Sequence, residues 1–118
     1  MTDLKTFLEQ WAAHDAQRQA VVATILAISE AGVGISALIA DGPLAGNLGA
    51  AVEENVQGEI QKALDSITND RIIAACRTAP VAAIASEELD HPVVGAPGGT
   101  VLVAMDPLDG SSNIDTNV

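Results

Sequence analysis

The stretch TVLVAMDPLDGSSNID, residues 100–115, decides the fold. It opens as a short continuous apolar run, TVLVAM (100–105), and turns abruptly into acid, proline, glycine and serine. A run of that length bounded by polar turns reads as a buried strand. Upstream, VAAIAS (81–86) has the same form, and it too runs into acid, in SEELD (86–90). When helices cover a sheet, side chains leave the packed layer at the carboxyl ends of the strands and loops converge there. The two acidic clusters are therefore expected at one edge of one sheet.

The residues after the second strand have a chemistry of their own. Pro107 fixes its own φ and pushes Asp106 into an extended conformation, so the Asp106 carboxylate points onward from the strand end. Asp109 can turn back toward the same point, and the Leu108 carbonyl can supply a third oxygen. Two carboxylates and a carbonyl suit Mg²⁺ or Mn²⁺. Gly110 tolerates the positive φ that ends such a turn, and the amides and hydroxyls of Ser111 and Ser112 form an anion cradle. A metal beside a phosphate cradle is the pattern of phosphoryl transfer. The plain alternative is a surface Asp-Pro turn with capping serines, and for Glu87 and Glu88 a solvated acidic loop.

Outward from the strands the pattern is helical. Leu4, Phe7, Leu8 and Trp11 form the stripe of an amphipathic packing helix, capped by Thr2 or Asp3. A second helical region runs from about Asp15 to Ile39, with Gly32 and Gly34 marking a bend or break. DGPLAGNLGA (41–50) reads as a loop, and helix resumes from about Asn55 to Ala75 with Asn69-Asp70 as a stop and restart. HPVVGAPGG (91–99) reads as a loop with His91 exposed, and His14 as a surface residue. The segment VVATILAISEAGVGISALIA (21–40) has membrane length, but Glu30, serines and glycines interrupt it, and it reads as a buried helix.

At 118 residues the chain is long enough for one domain and a real core. Its aliphatic residues supply that core, because it has one Phe, one Trp and no Tyr, which leaves little for stacking on bases. Sixteen Asp and Glu against five Lys and Arg give a net charge of −11, which repels nucleic acid and anionic membranes. An acidic chain that handles phosphate needs cations between the two. The lone Cys76 reads as a small buried apolar residue, no disulfide framework exists, and no signal peptide opens the chain, so a cytoplasmic location is expected.

Three stretches, NVQGEIQKALDSITND (55–70), SEE (86–88) and DPLDGSSNID (106–115), resemble in their order the motifs of class 1 fructose-1,6-bisphosphatases. The first follows the family pattern N-V-x-G-D/E-x-x-K-x-L-D-x-x-S/T-N-D. Inositol-phosphatase relatives share only the D-P-I/L-D-G core, and SSNID separates this chain from them. The resemblance implies an α/β layered helix/sheet domain, with residues 1–118 forming the N-terminal part of the sugar-bisphosphatase fold and the C-terminal part missing. It implies Mg²⁺-dependent hydrolysis (Mn²⁺ being an alternative ion) of the 1-phosphate of fructose 1,6-bisphosphate, giving fructose 6-phosphate and phosphate in carbohydrate metabolism, whether gluconeogenesis or the Calvin cycle. Glu87, Asp106, Asp109 and the Leu108 carbonyl match the metal ligands, and Glu59 stands at a further metal position where the family often has Asp. Asp65 and Glu88 match the pair that activates the attacking water, and Asp109, Gly110, Ser111 and Ser112 match the positions that receive the phosphate.

The same resemblance implies a homotetramer for the complete enzyme, with a sugar bisphosphate as substrate and neither nucleic acid nor membrane as partner. Sedoheptulose 1,7-bisphosphate is the alternative substrate, and a non-catalytic acidic module the alternative of another class. Nucleotide-regulated members carry Gly-x-Glu-x-Thr where this chain has QAVVA (19–23), and a Lys-Tyr pair where it has Thr100 and Val101, so an AMP switch is not expected. By itself the chain is expected to be inactive and prone to associate.

Overall fold

A computed structural model describes residues 1–41 and 54–110. Helix α1 (Leu4–Ala12) starts where the Asp3 side chain accepts the Thr6 N–H at 2.7 Å, a bond that holds the Asp3 carboxyl below its usual value. It ends at Ala13, whose φ is 48°. Asp15 then accepts the Arg18 N–H at 2.8 Å and starts helix α2 (Ala16–Asp41). Only Leu8 of the predicted stripe is buried in α1, together with Ala12 and against Val22; Leu4, Phe7 and Trp11 are exposed. The helix is rotated so that its smaller residues meet α2. Trp11 instead receives the Arg18 guanidinium, 4.9 Å above its ring, and Arg18 also donates to the Trp11 carbonyl.

Two expected breaks are absent. Helix α2 runs unbroken through Gly32 and Gly34, and helix α3 (Glu54–Cys76) runs unbroken through Asn69 and Asp70. A side chain built at Gly34 would meet the Arg71 guanidinium of α3 at 3.4 Å, so this glycine serves helix packing and not a bend. Helix α2 packs on α1, α3 and β3, yet only part of its length is covered: Val22, Thr24 and Ile35 are buried, while Val33 is 72% exposed. By length and composition alone it could cross a membrane. The expectation of a buried helix holds for one face only.

The sheet has the order β2-β1-β3, with β1 (Val81–Ser86) parallel to β3 (Val101–Met105) and antiparallel to β2 (Val93–Val94). The short β2 lies within what the sequence predicted as loop. After β2 the chain wraps the amino end of β1: Gly95 and Ala96 donate to the carbonyls of Ala82 and Val81, and Thr100 and Val101 both donate to that of Pro80. A Cβ at Gly95 would lie 2.0 Å from the Val81 oxygen, and one at Gly99 2.4 Å from the Val81 carbonyl carbon. Only glycine lets the two backbones approach so closely. Gly99→Ala is therefore expected to lower stability by roughly 1–3 kcal/mol. Gly32→Ala, in a helix with nothing within 4 Å of the new carbon, should raise it by about 0.5–1 kcal/mol. Chemical denaturation of the two variants measures both signs; equal stability would remove the packing argument.

The core lies between the helices and one face of the sheet. Ile35, Ile72, Ile73, Cys76, Ala79, Val81 and Ile84 form it, flanked by Val101, Val103 and Met105. Burial pushes the Cys76 thiol up, as befits an inert core sulfur. The strands are not buried on both sides as their continuous apolar runs predicted. Leu102, Ala104 and Ala85 are exposed on the far face, over a cavity of about 300 Å³.

Candidate active site

Parallel pairing puts the carboxyl ends of β1 and β3 side by side. Ser86 pairs with Met105 as the last rung of the ladder, and Glu87 donates its N–H to the Met105 carbonyl at 3.0 Å. The next residues are then Glu87 on one strand and Asp106 on the other. Their side chains meet. The Glu87 carboxyl is held above the usual carboxylate range, first by hydrogen bonding to the Asp106 carboxyl and then by that group's charge. Lost hydration and the charges of Glu88 and Asp109 push it the same way. Three carboxyl groups from two turns thus act on Glu87.

The turn after β3 has the form its sequence implies. Asp106 is exposed, Pro107 buried and Leu108 half-buried; Asp109 and Gly110 are exposed, with Gly110 at φ 67°. Ser111 and Ser112 lie outside the described residues.

Asp65 lies in the helix layer. Leu64, Thr68, Asn69, Ile72, Ile73 and Cys76 form the buried face of α3, and Asp65 sits half-buried beside it. Its Oδ1 is shut off from solvent and meets no hydrogen-bond donor among the described residues. An orphaned carboxylate oxygen is costly unless something of positive charge or a donor completes it. Glu59 is exposed on the same helix. At 1.5 Å per residue it stands roughly 9 Å along the axis from Asp65, and an i, i+6 pair faces different directions. His91 and His14 are both exposed.

The donor set fits a hard divalent cation. It consists of oxygens only, and it includes a carboxylate pair whose mutual repulsion a cation would offset. The described residues form no complete cage of three or more such groups. The sequence marks Asn69 as a helix stop and Ser86 as the end of a strand, with no site role for either. Both are buried, and the Ser86 hydroxyl donates to Asn69 Oδ1 at 2.6 Å, tying α3 to the end of β1. The available signal was a polar Asn inside an otherwise helical register.

Helices layered on a mixed sheet, with carboxylates gathered at the carboxyl ends of two parallel strands, define an α/β domain with an acidic site at its strand ends. The chain belongs to the fructose-1,6-bisphosphatase family: residues 1–118 match the family's N-terminal domain. It is similar to a class 1 fructose-1,6-bisphosphatase of Xanthobacter autotrophicus, at 54% identity over 94% of this chain and 30% of that protein. It is 50% identical to the class 1 enzyme of Azorhizobium caulinodans over 98% of this chain and 36% of that one. Among solved structures it resembles Leishmania major fructose-1,6-bisphosphatase in holo form, with a TM-score of 0.74 and 28% identity, over 99% of this chain and 35% of that chain. The chain thus spans about a third of the length of these relatives.

Proposed function

We propose that this chain is the N-terminal part of a sugar bisphosphatase that removes the 1-phosphate of fructose 1,6-bisphosphate. One observation carries the reading: Glu87 and Asp106, from the ends of parallel strands, bring their carboxyls together, where a bound cation would offset their repulsion. Glu87, Asp106, Asp109 and the Leu108 carbonyl would hold Mg²⁺, with Glu59 at the margin of the site. When bound, the ion supplies positive charge against the phosphate and the developing leaving oxygen.

The chain's own residues account for the remainder. Asp109, Gly110, Ser111 and Ser112 would receive the phosphoryl group, with Gly110 leaving room for its oxygens. Asp65 and Glu88, as carboxylates, take a proton from water as its oxygen attacks phosphorus; the bond to the C1 oxygen breaks and that oxygen leaves with the sugar. Sedoheptulose 1,7-bisphosphate remains the second reading, because this acidic edge addresses metal and phosphate and not sugar length. Assembly as a homo-oligomer, a tetramer in the complete enzyme, agrees with the exposed apolar Leu4, Phe7 and Trp11. The test is phosphate release by the complete enzyme with Mg²⁺ from both sugars. Rapid release from fructose 1,6-bisphosphate is expected, and release from neither would overturn the reading.

Regulation by AMP is not part of this proposal. Gln17 donates to the Thr100 carbonyl at 3.0 Å, so the start of α2 and the start of β3 adjoin, as a shared nucleotide site would require. What stands there is unsuited to phosphate: Val22 is buried against Leu8 and Ala12, and Val101 packs against the core. AMP should leave steady-state turnover of the complete enzyme unchanged; saturable inhibition would show that other groups supply the grip.

A further inference from the structure

The described residues bury four polar side chains: Thr24, Thr68, Asn69 and Ser86. Thr24 and Thr68 satisfy themselves locally, each donating to a carbonyl of its own helix. Asn69 and Ser86 differ. Ser86 donates to Asn69 Oδ1 at 2.6 Å across two elements, and the same hydroxyl accepts the Glu88 N–H at 3.2 Å. Asn69 is 4% exposed and Ser86 7%. The bond therefore links, in a line, the backbone of Glu88, the end of β1 and the middle of α3.

Stability alone does not account for that arrangement. A buried polar pair must first shed its water, and apolar groups of the same shape can replace it with little loss. Apolar contact, however, is non-directional. A hydrogen bond fixes distance and angle together. Asn69 lies one helical turn after Asp65, on the same side of α3, and Ser86 immediately precedes Glu87 and Glu88. The bond thus spans the groups that approach the site from the helix layer and from the sheet.

We infer that Asn69 and Ser86 are positioning residues, whose buried bond sets where the Glu87–Glu88 turn stands relative to Asp65. This rests on the site reading given above for those three carboxylates. Residues that orient metal-binding carboxylates typically matter by roughly tenfold to a hundredfold in metal affinity or activity.

The test uses the complete enzyme with Ser86→Ala, Asn69→Ala, the two together, and Ser86→Thr. Each alanine variant should lose roughly tenfold to a hundredfold in kcat or in Mn²⁺ affinity, the latter read by electron paramagnetic resonance. KM for the sugar bisphosphate should hold. The double variant should be no worse than the poorer single one, since both remove the same bond. Ser86→Thr keeps the hydroxyl and should restore most of the loss. In metal-free enzyme, hydrogen exchange at the Glu88 amide should quicken in Ser86→Ala.

Asn69→Leu with Ser86→Ala guards against a variant that fails to fold, because it replaces the pair by apolar groups. It should keep its Tm and still lose turnover. Wild-type kcat and Mn²⁺ affinity in that variant would overturn the inference and leave the pair a packing feature. Asp109→Ala, assayed beside it, separates the two claims. If Asp109→Ala is inactive while the pair variants are normal, the positioning role fails alone; if Asp109→Ala is fully active, the site reading itself fails.

Discussion

Asp106→Ala in the complete enzyme is expected to lower Mg²⁺-dependent turnover by about a hundredfold or more while leaving the metal-free protein about as stable as before. The first effect follows from the small number of oxygens at the site: a cation that loses one of its few carboxylates neutralises less of the charge that develops on phosphate transfer. The second follows from the geometry of the strand ends. Without a cation, Asp106 is the main reason the Glu87 carboxyl is held above its usual range, with Glu88 and Asp109 adding to the repulsion. Removing Asp106 takes away its hydrogen bond to Glu87 together with that repulsion and breaks nothing in the core, because its side chain is exposed. Activity should fall while stability holds. Steady-state phosphate release and a thermal melt in chelator measure the two. Unchanged turnover would remove Asp106 from the metal site, and a large fall in Tm would show that its role is structural.

Purified as residues 1–118 alone, the chain should release no phosphate and should self-associate, more strongly as salt is added. The sheet presents Leu102 at 77% exposure, with Ala85 and Ala104 beside it, and among the described residues β3 pairs on one edge only. Apolar faces and unpaired edges both favour association. The net charge of −11 opposes it at low salt through mutual repulsion. At 1 M salt the screening length falls to about 3 Å, so the repulsion fades while the apolar attraction does not. Size exclusion at low and high salt reads the outcome. Leu102→Lys, on the open face and away from the acidic edge, should shift the distribution back toward monomer. A monodisperse and active wild-type product would mean that these residues suffice for catalysis.

Much of this protein was legible in the sequence because the forces concerned act within a turn or a strand. VAAIAS became β1 residue for residue, Asp3 caps α1, and Gly110 takes the positive φ that the turn after DPLD requires. These outcomes depend on neighbours a few positions away, whose side-chain and backbone preferences the chain states directly. The breaks expected at Gly32, Gly34 and Asn69 failed for the complementary reason. A glycine or asparagine is a weak local signal, and Arg71 packing over Gly34 and Ser86 bonding Asn69 override it from other elements. The direction in which Leu4, Phe7 and Trp11 point is likewise set by the packing of α1 on α2 and not by their spacing.

The sequence by itself determined which groups carry the chemistry: DPLDG and SEE name the carboxylates and the order in which they appear. The sequence placed the two clusters at one edge of one sheet, and the tertiary structure decided which of their residues meet. Glu87 reaches Asp106 because β1 and β3 run parallel with Ser86 opposite Met105, and that register depends on the chain wrapping the amino end of β1 through Gly95 and Gly99. The continuous apolar runs marked two buried strands but did not fix the residue-by-residue register between them. The crossing of Gly95 and Gly99 over Val81 is too close for any side chain, and it joins residues that local preference cannot relate.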